Sequence, residues 1–323
     1  MVNFRINNFR KGKLLLISLA GIILLRMISN SWLAIYDPTE SRYAEIANQM
    51  YRSGNWLTPK VYVDGRLVPY WGKPPLHFWL TAGAFKVFGV SEWSARLPSL
   101  LAGIFMLCMT MYFVRRVWGA RTALVTGIIQ SSTLLFFILW GSSVVDVTLS
   151  AAVTSSMISF ALAIVDQRVP ARRFWSYVFF ASLAVGILTK GLIAVALVSL
   201  SIGLWLLFTK DWKAMKSIPW FSGTAILLII TTPWFVLAEK ATPGFLRYFF
   251  INEHFLRYLV HNYGDKYGSG HVYFRGSAWG MLLLGFFPWT FFLIGSLVSE
   301  YKAHSGNPEK KNPNDAWLKY ALI

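Results

Sequence analysis

The sequence predicts an all-α protein, a polytopic transmembrane helix bundle with amphipathic helices in a long outer loop. Three observations predict it. Only 14% of the 323 residues are charged and 55% are hydrophobic, where a soluble domain carries about 25% charge. Eight stretches are apolar over roughly the length that crosses ~30 Å of hydrocarbon. The basic residues gather in alternate short loops between those stretches, as cytoplasmic loops do. A mean hydropathy of +0.49 excludes disorder and an ordinary soluble enzyme. The single cysteine, Cys108, permits neither an intrachain disulfide nor a cysteine-based zinc cluster.

The spans follow in order over 14–35, 97–114, 122–140, 143–165, 174–189, 191–208, 218–238 and 277–298. The fifth and sixth are divided where Thr189-Lys190-Gly191 can turn the chain. The first resembles a signal peptide, but its apolar run continues past Arg26 to Ile35. No small-residue cleavage site follows it, so a retained signal-anchor is expected. Arg5, Arg10, Lys11 and Lys13 precede the first span. Arg115, Arg116 and Arg121 separate the second from the third, and Arg168, Arg172 and Arg173 the fourth from the fifth. Lys210, Lys213 and Lys216 lie before the seventh, and Lys302, Lys310 and Lys311 follow the eighth. With a cytoplasmic N-terminus every one of these falls inside. The net charge of +17 is therefore a topology signal, and membrane lipids rather than nucleic acid are the expected surroundings.

This divides the chain into an anchor span (1–35), a first outer loop (36–96), a transmembrane bundle (97–238), a second outer loop (239–276), and a last segment (277–323). That segment holds the eighth span, a basic loop and what reads as the start of a ninth span, so the chain looks truncated. Long outer loops with their own helical patterning are where function is sought.

In the first loop Asp37 suits an N-cap, Pro38 the first helical position and Glu40 the third, an aspartate version of a capping box. Tyr43, Ile46, Ala47 and Met50 then recur at one face of an amphipathic helix, which Gly54 ends. Asp37 and Glu40 are either helix caps or a pair of carboxylates at the entrance of a site. Val61-Tyr62-Val63 and Arg66-Leu67-Val68 flank an Asp64-Gly65 turn. Lys73 precedes Pro74-Pro75 and a second helix. It either snorkels to head groups or makes an anion site with that helix's N-terminus. In the second loop Glu253 and Arg257 are spaced to pair, and His254 and Arg257 are spaced to share a face. His77, His254, His261 and His271 match no zinc spacing. Asp146, within the fourth span, is a functional candidate by its position alone. It is also the candidate partner by charge for Arg26.

Thr39-Glu40-Ser41-Arg42-Tyr43-Ala44-Glu45, Gly54-Asn55-Trp56-Leu57-Thr58-Pro59, Lys73-Pro74-Pro75-Leu76 and Phe88-Gly89-Val90-Ser91-Glu92-Trp93-Ser94-Ala95-Arg96-Leu97-Pro98 occur in that order. Leu188-Thr189-Lys190-Gly191, Pro233-Trp234-Phe235, Glu253-His254-Phe255-Leu256-Arg257-Tyr258-Leu259 and Gly285-Phe286-Phe287-Pro288-Trp289 follow them. This series, over roughly 32–292, resembles the bacterial aminoarabinose transferases and dolichyl-phosphate-mannose-type protein mannosyltransferases, membrane glycosyltransferases of the GT-C class. The resemblance implies a polyprenyl-phosphate sugar donor, inversion at the anomeric carbon, and a lipid, glycan or protein acceptor. It implies a bacterial inner-membrane location with the site on the periplasmic side. Its catalytic carboxylate would be Glu40, with Asp37 as the alternative. Lys73 and Arg257 would hold the donor phosphate, and Arg42, Tyr43, Asp146 and His254 would line the cleft.

Two departures stand out. The family often has Asp-Glu where this chain has Thr39-Glu40. An acidic residue associated with a metal often precedes Lys-Pro-Pro, where this chain has Gly72, which weakens the expectation of a divalent metal without removing it; no other cofactor is expected. The rival readings are a non-enzymatic lipid-carrier transporter or scaffold, and a catalytically inactive short paralogue.

Overall fold

The structure is a computed structural model. It describes residues 2–35, 37–165, 168–260, 267, 274 and 276–296, with side chains from residue 12 onward except Tyr258. The expectations resting on His261, Asp265, Lys266, His271 and Arg275, and on the basic loop and ninth span after 296, lie outside the described residues.

Helix α1 (Val2–Ser29) leads into α2 (Pro38–Ser53), the hairpin β1 (Lys60–Val63) and β2 (Arg66–Pro69), and α3 (Leu76–Phe88). The bundle follows: α4 (Glu92–Trp118), α5 (Ala120–Ser132), α6 (Leu134–Leu139), α7 (Val145–Val165), α8 (Val169–Lys190) and α9 (Leu192–Thr209). Next come α10 (Trp212–Lys216), α11 (Trp220–Ala241) and α12 (Phe245–Arg247), which runs into a π-helix, Tyr248–Leu256. The short α13 (Arg257–Leu259) and α14 (Ser277–Gly285) follow, and a last helical piece, Thr290–Ser296, ends the described chain.

Local chemistry accounts for the outer elements. Asp37 caps α2, Pro38 opens it, and Gly54 ends it at φ 66°, a left-handed conformation that favours glycine. The buried face of α2 is Tyr43, Ile46, Ala47 and Met50, and it packs with Phe78, Ala82 and Phe85 of α3. Asp64 and Gly65 both take positive φ, the turn whose twist suits a two-residue hairpin. Helix α3 buries His77, Phe78, Thr81, Ala82, Ala84 and Phe85, while Leu80, Val87 and Phe88 are exposed. Ser91 and Ser94 cap α4 reciprocally, so that helix starts ahead of the expected span at 97 and runs unbroken through residues 96 and 97.

Among the described residues five helices are long and apolar enough to cross a membrane: Gly12–Ser29, Glu92–Trp118, Val145–Val165, Leu192–Thr209 and Trp220–Ala241. The other three expected spans depart from straight apolar helices for visible reasons. The third is divided at Thr133, whose ψ of 126° breaks the helix into α5 and α6. The fifth is α8, with 22 residues, but it carries Arg172 and Arg173 near its start and Lys190 at its end. The eighth is two pieces, Ser277–Gly285 and Thr290–Ser296, that meet at 96°. The expected turn at Lys190-Gly191 is present, since α8 ends at Lys190 and α9 begins at Leu192.

Helix α7 is the centre of the bundle: 72% of its membrane stretch is buried, against 11% for α1 at the periphery. Its Ala151, Ala152, Ser155, Ser156 and Ser159 are small, which lets a neighbouring helix approach closely. Phe160, Phe179, Phe180 and Trp205 fill the inner part of this core.

Candidate active site

The helix ends that meet α2 and α3 bring two polar constellations together. The first is buried. Asp37 Oδ1 accepts from the N–H of Thr39 (2.8 Å) and of Glu40 (3.0 Å), which starts α2 and points Glu40 inward. The expected reciprocal half of the capping box does not form. Instead Glu40 Oε1 accepts from Arg96 Nε (2.8 Å) and from the Ser143 N–H (2.8 Å), and its Oε2 accepts from Arg96 NH2 (3.2 Å). A guanidinium outbids the Asp37 N–H because charge-assisted, paired bonds are stronger. Arg96 also donates to the carbonyls of Asn30 (3.0 Å), Ala34 (3.3 Å) and Leu33. One ion pair thus ties together the end of α1, the start of α2, the first turns of α4 and the turn into α7.

The second constellation lines a cleft that is buried at Tyr43, Tyr70 and Glu253 and opens at Asp146 and Lys190. The Tyr43 hydroxyl lies close enough to Asp146, Arg42 and Glu253 to feel the charge of each, and it hydrogen-bonds Tyr70. Burial, with the Asp146 charge behind it, pushes the Tyr43 phenol up to about 12. Burial, then the neighbouring Tyr43, pushes Tyr70 well above its ordinary value. Both therefore stay protonated, with one of the two hydroxyl protons held in the bond between them. Tyr267 fixes this segment, donating to the Pro69 carbonyl (2.8 Å) and accepting from the Trp71 N–H (2.9 Å).

Glu253 comes from the π-helix and stands between two cations. Lys73 Nζ is 3.8 Å from its Oε1, and Arg257 NH1 is 2.9 Å from its Oε2. The i, i+4 pairing read from the sequence is therefore present. His254 turns elsewhere. Its Nδ1–H donates to the Phe249 carbonyl (2.7 Å) and its Nε2 accepts from the Leu192 N–H (3.2 Å). It thereby caps α9 and packs on Gly191. His254 and Arg257, spaced to share a face, thus bond to different partners, since the π-helix changes the angular step between residues.

Asp146 opens α7 and pairs with Lys190 at the end of α8, 2.5 Å apart. That corrects the proposed pairing with Arg26. Arg26 donates instead to Ser29 Oγ (3.2 Å) and the Ile138 carbonyl (3.1 Å), with its guanidinium over the Phe137 ring. Beneath Tyr43, His77 is fully enclosed: Nδ1 bonds Thr148 Oγ1 (3.1 Å), and Nε2 has no partner among the described residues. Burial lowers its pKa to about 4, so it is neutral.

Among the described residues no three His, Cys, Asp or Glu side chains converge as metal ligands. The carboxylate nearest Gly72 is Glu253, whose Oε1 is 3.1 Å from where a Cβ on Gly72 would lie. Already flanked by Lys73 and Arg257, it does not suit a divalent cation.

Sequence reasoning missed Arg96, Tyr70, Glu253 as a site residue and Lys190. The signal for Arg96 was present, a cation immediately before a span, but such residues also read as head-group anchors.

Residues 72–236 match the family model described as dolichyl-phosphate-mannose-protein mannosyltransferase. Among curated relatives, the undecaprenyl phosphate-alpha-4-amino-4-deoxy-L-arabinose arabinosyl transferase of Enterobacter sp. is 29% identical over 87% of this chain and 49% of its own length. That of Wigglesworthia glossinidia brevipalpis is 30% identical over 90% of this chain and 50% of its own. The crystal structure of ArnT from Cupriavidus metallidurans bound to undecaprenyl phosphate is similar with a TM-score of 0.80 and 30% identity. It covers 95% of this chain and 53% of that one. In the apo state the TM-score is 0.77. The chain spans about half the length of the curated relatives it matches.

Proposed function

We propose a function from one premise: this chain belongs to the dolichyl-phosphate-mannose-protein mannosyltransferase family. It is a membrane glycosyltransferase that moves a sugar from a polyprenyl-phosphate donor to a lipid, glycan or protein acceptor, with inversion. The transferred unit is a pentosyl group, a reading supported by the arabinosyl transferases among its relatives. One observation carries the proposal. Tyr43, bonded to Tyr70, feels the charges of Arg42, Asp146 and Glu253, and the ion pairs of Asp146 with Lys190 and of Glu253 with Lys73 and Arg257 bring four cations around these two hydroxyls.

In the reaction an acceptor oxygen forms a bond to the anomeric carbon while the bond from that carbon to the phosphate oxygen breaks. The electron pair leaves with the polyprenyl phosphate, and Lys73 and Arg257 stabilise the charge. A hydroxyl acceptor passes its proton to a carboxylate. Asp37 is the proposed base. Both of its cap bonds fall on Oδ1, so Oδ2 is not needed by the helix. Glu40 acts as the positioning residue that holds α2 through Arg96. Asp146 lines the cleft and holds Lys190 until a phosphate arrives.

The test is transfer in membranes from a sugar-labelled polyprenyl phosphate, with release of polyprenyl phosphate measured alongside. Transfer that falls about tenfold or more in Lys73→Ala supports the reading. Binding of polyprenyl phosphate with no transfer to any acceptor would favour a carrier or scaffold. Sidedness is tested by an impermeant thiol reagent: Asp64→Cys should label from outside, and Lys213→Cys should not.

A further inference from the structure

Glu253 is a buried carboxylate to which the reaction above gives no step. Its side chain is 8% exposed, and it meets Lys73 through one oxygen and Arg257 through the other. Its charge is felt at Tyr43 and Tyr70. Two local features hold it there. It lies in the π-helix, a form that recurs at functional sites, and the next residue, His254, is bonded at both ring nitrogens. Gly72 supplies the room, since a Cβ on it would lie 2.9 Å from the Tyr70 hydroxyl and 3.1 Å from Glu253 Oε1. A phosphate that touches both Lys73 and Arg257 must lie beside this carboxylate or in its place.

The reaction changes the charge of that phosphate. The donor is a phosphodiester with one negative charge. When the bond to the anomeric carbon breaks, the phosphate keeps the electron pair and becomes a monoester, which carries about −1.5 to −2 at neutral pH. Lys73 and Arg257 by themselves would therefore hold the product more tightly than the donor. With Glu253 the three side chains sum to one positive charge rather than two. A second charge on the phosphate is then repelled from close by.

We propose that Glu253 sets the charge preference of the phosphate site, so that the cleft accepts a monoanionic phosphodiester and releases the dianionic phosphomonoester. The proposal rests on the donor reading above and adds to it a residue that governs product release. Glu253 forms no bond to the sugar and acts by repulsion alone. The same repulsion opposes the charge that grows as the bond breaks, so part of the bond-breaking rate is given up for release. Charge rather than shape is what counts, and Glu253→Gln and Glu253→Asp separate the two.

Two ligands with the same chain are compared by titration calorimetry in detergent micelles at about pH 8, where the monoester is a dianion. One is polyprenyl phosphate and the other its methyl ester, a monoanion. Wild type should bind the two within about tenfold of each other, because repulsion and desolvation offset the extra attraction of the dianion. Glu253→Gln should bind the monoester tighter than wild type by about tenfold or more, and the methyl ester by a smaller factor. Glu253→Asp should keep the wild-type ratio. In transfer assays, polyprenyl phosphate should inhibit Glu253→Gln at about a tenth of the concentration that inhibits wild type, measured against the donor KM.

If Glu253 only positions the two cations, Glu253→Gln should weaken both ligands alike, and that result overturns the proposal. An unchanged ratio of the two affinities does the same. One arm needs no variant: wild type that binds the monoester more than about tenfold tighter than the methyl ester also overturns it. Charge discrimination of the expected kind without transfer to any acceptor would sink the glycosyltransferase reading and leave the role of Glu253 standing.

Discussion

Two ion pairs near the helix ends that meet α2 and α3 are built to opposite specifications. In Arg96–Glu40 the side chains are 4% and 6% exposed; in Lys190–Asp146 they are 29% and 47% exposed. Burying two charges costs several kcal/mol per ion, and this is offset only when the remaining hydrogen-bonding groups are met. Arg96 meets that condition, since three backbone carbonyls take the N–H groups that Glu40 does not. The open pair sits in high dielectric and is worth at most about 1 kcal/mol. It can be exchanged for a ligand's charge at little loss. The buried pair fixes the shape of the cleft, and the exposed pair is free to change partners.

The comparison breaks or holds first at Arg96. Arg96→Met should cost about 3–5 kcal/mol, because Glu40 is left as an uncompensated buried charge. The Arg96→Met, Glu40→Leu double variant should recover much of that, since a matched apolar pair avoids the desolvation penalty. Thermal unfolding in detergent measures both. A single variant that melts like wild type would mean the pair does not hold the helix ends together.

Asp37 and Glu40 give the next contrast, and it lies in turnover rather than stability. Asparagine caps a helix about as well as aspartate, so Asp37→Asn should melt normally. It should lose roughly 10²-fold in sugar transfer if Asp37 is the base. Glu40→Gln should show the reverse weighting, with melting lowered more than turnover. Full activity in Asp37→Asn would move the search for the base to Asp146.

How much of this was legible beforehand depended on distance along the chain. Helix α2 was readable because its signals are local: the Asp37 cap, the Pro38 start, the Tyr43–Met50 face and the Gly54 stop. The Asp64-Gly65 turn and the break at Lys190-Gly191 were readable for the same reason. The partners of Glu40 and Asp146 were not. Arg96 lies 56 positions from Glu40 and Lys190 lies 44 from Asp146, and no periodicity carries information that far. Charge alone suggested Arg26 for Asp146, but Arg26 is met by Ser29 and the Ile138 carbonyl within its own surroundings. The π-helix escaped because its residues carry no distinctive composition.

His77 joins the two regions, being as buried as Arg96 yet within reach of the Asp146 charge. Its folded-state pKa, lowered to about 4 by burial, lies below the unfolded value of 6.5. The native state therefore binds its proton later than the unfolded chain does. The resulting stability is complete above about pH 6.5 and is lost as pH falls toward 4, by up to about 3 kcal/mol. Melting temperature against pH should show that slope in wild type and lose it in His77→Gln. Asp146 raises the His77 pKa, so Asp146→Asn should shift the transition to lower pH. An unchanged slope in His77→Gln would assign it to other groups.

The smallest expected change in stability is at Lys190. Lys190→Gln removes one half of an exposed pair, and the remaining Asp146 is still open to water, so melting should move by less than about 1 kcal/mol. Donor binding should respond more, weakening by several-fold to about tenfold, because Lys190 otherwise leaves Asp146 for the incoming phosphate. The same variant should show a weaker dependence of donor affinity on salt, one cation having been withdrawn from a screened cleft. Asp146→Asn provides the control in the opposite sense: it releases Lys190 without removing it, so phosphate binding should hold or improve while the fold stays as stable. If Lys190→Gln instead destabilises the protein as much as Arg96→Met, exposure does not separate the two pairs. The cleft would then be a second structural hub, and the phosphate would have to be held by Lys73 and Arg257 alone.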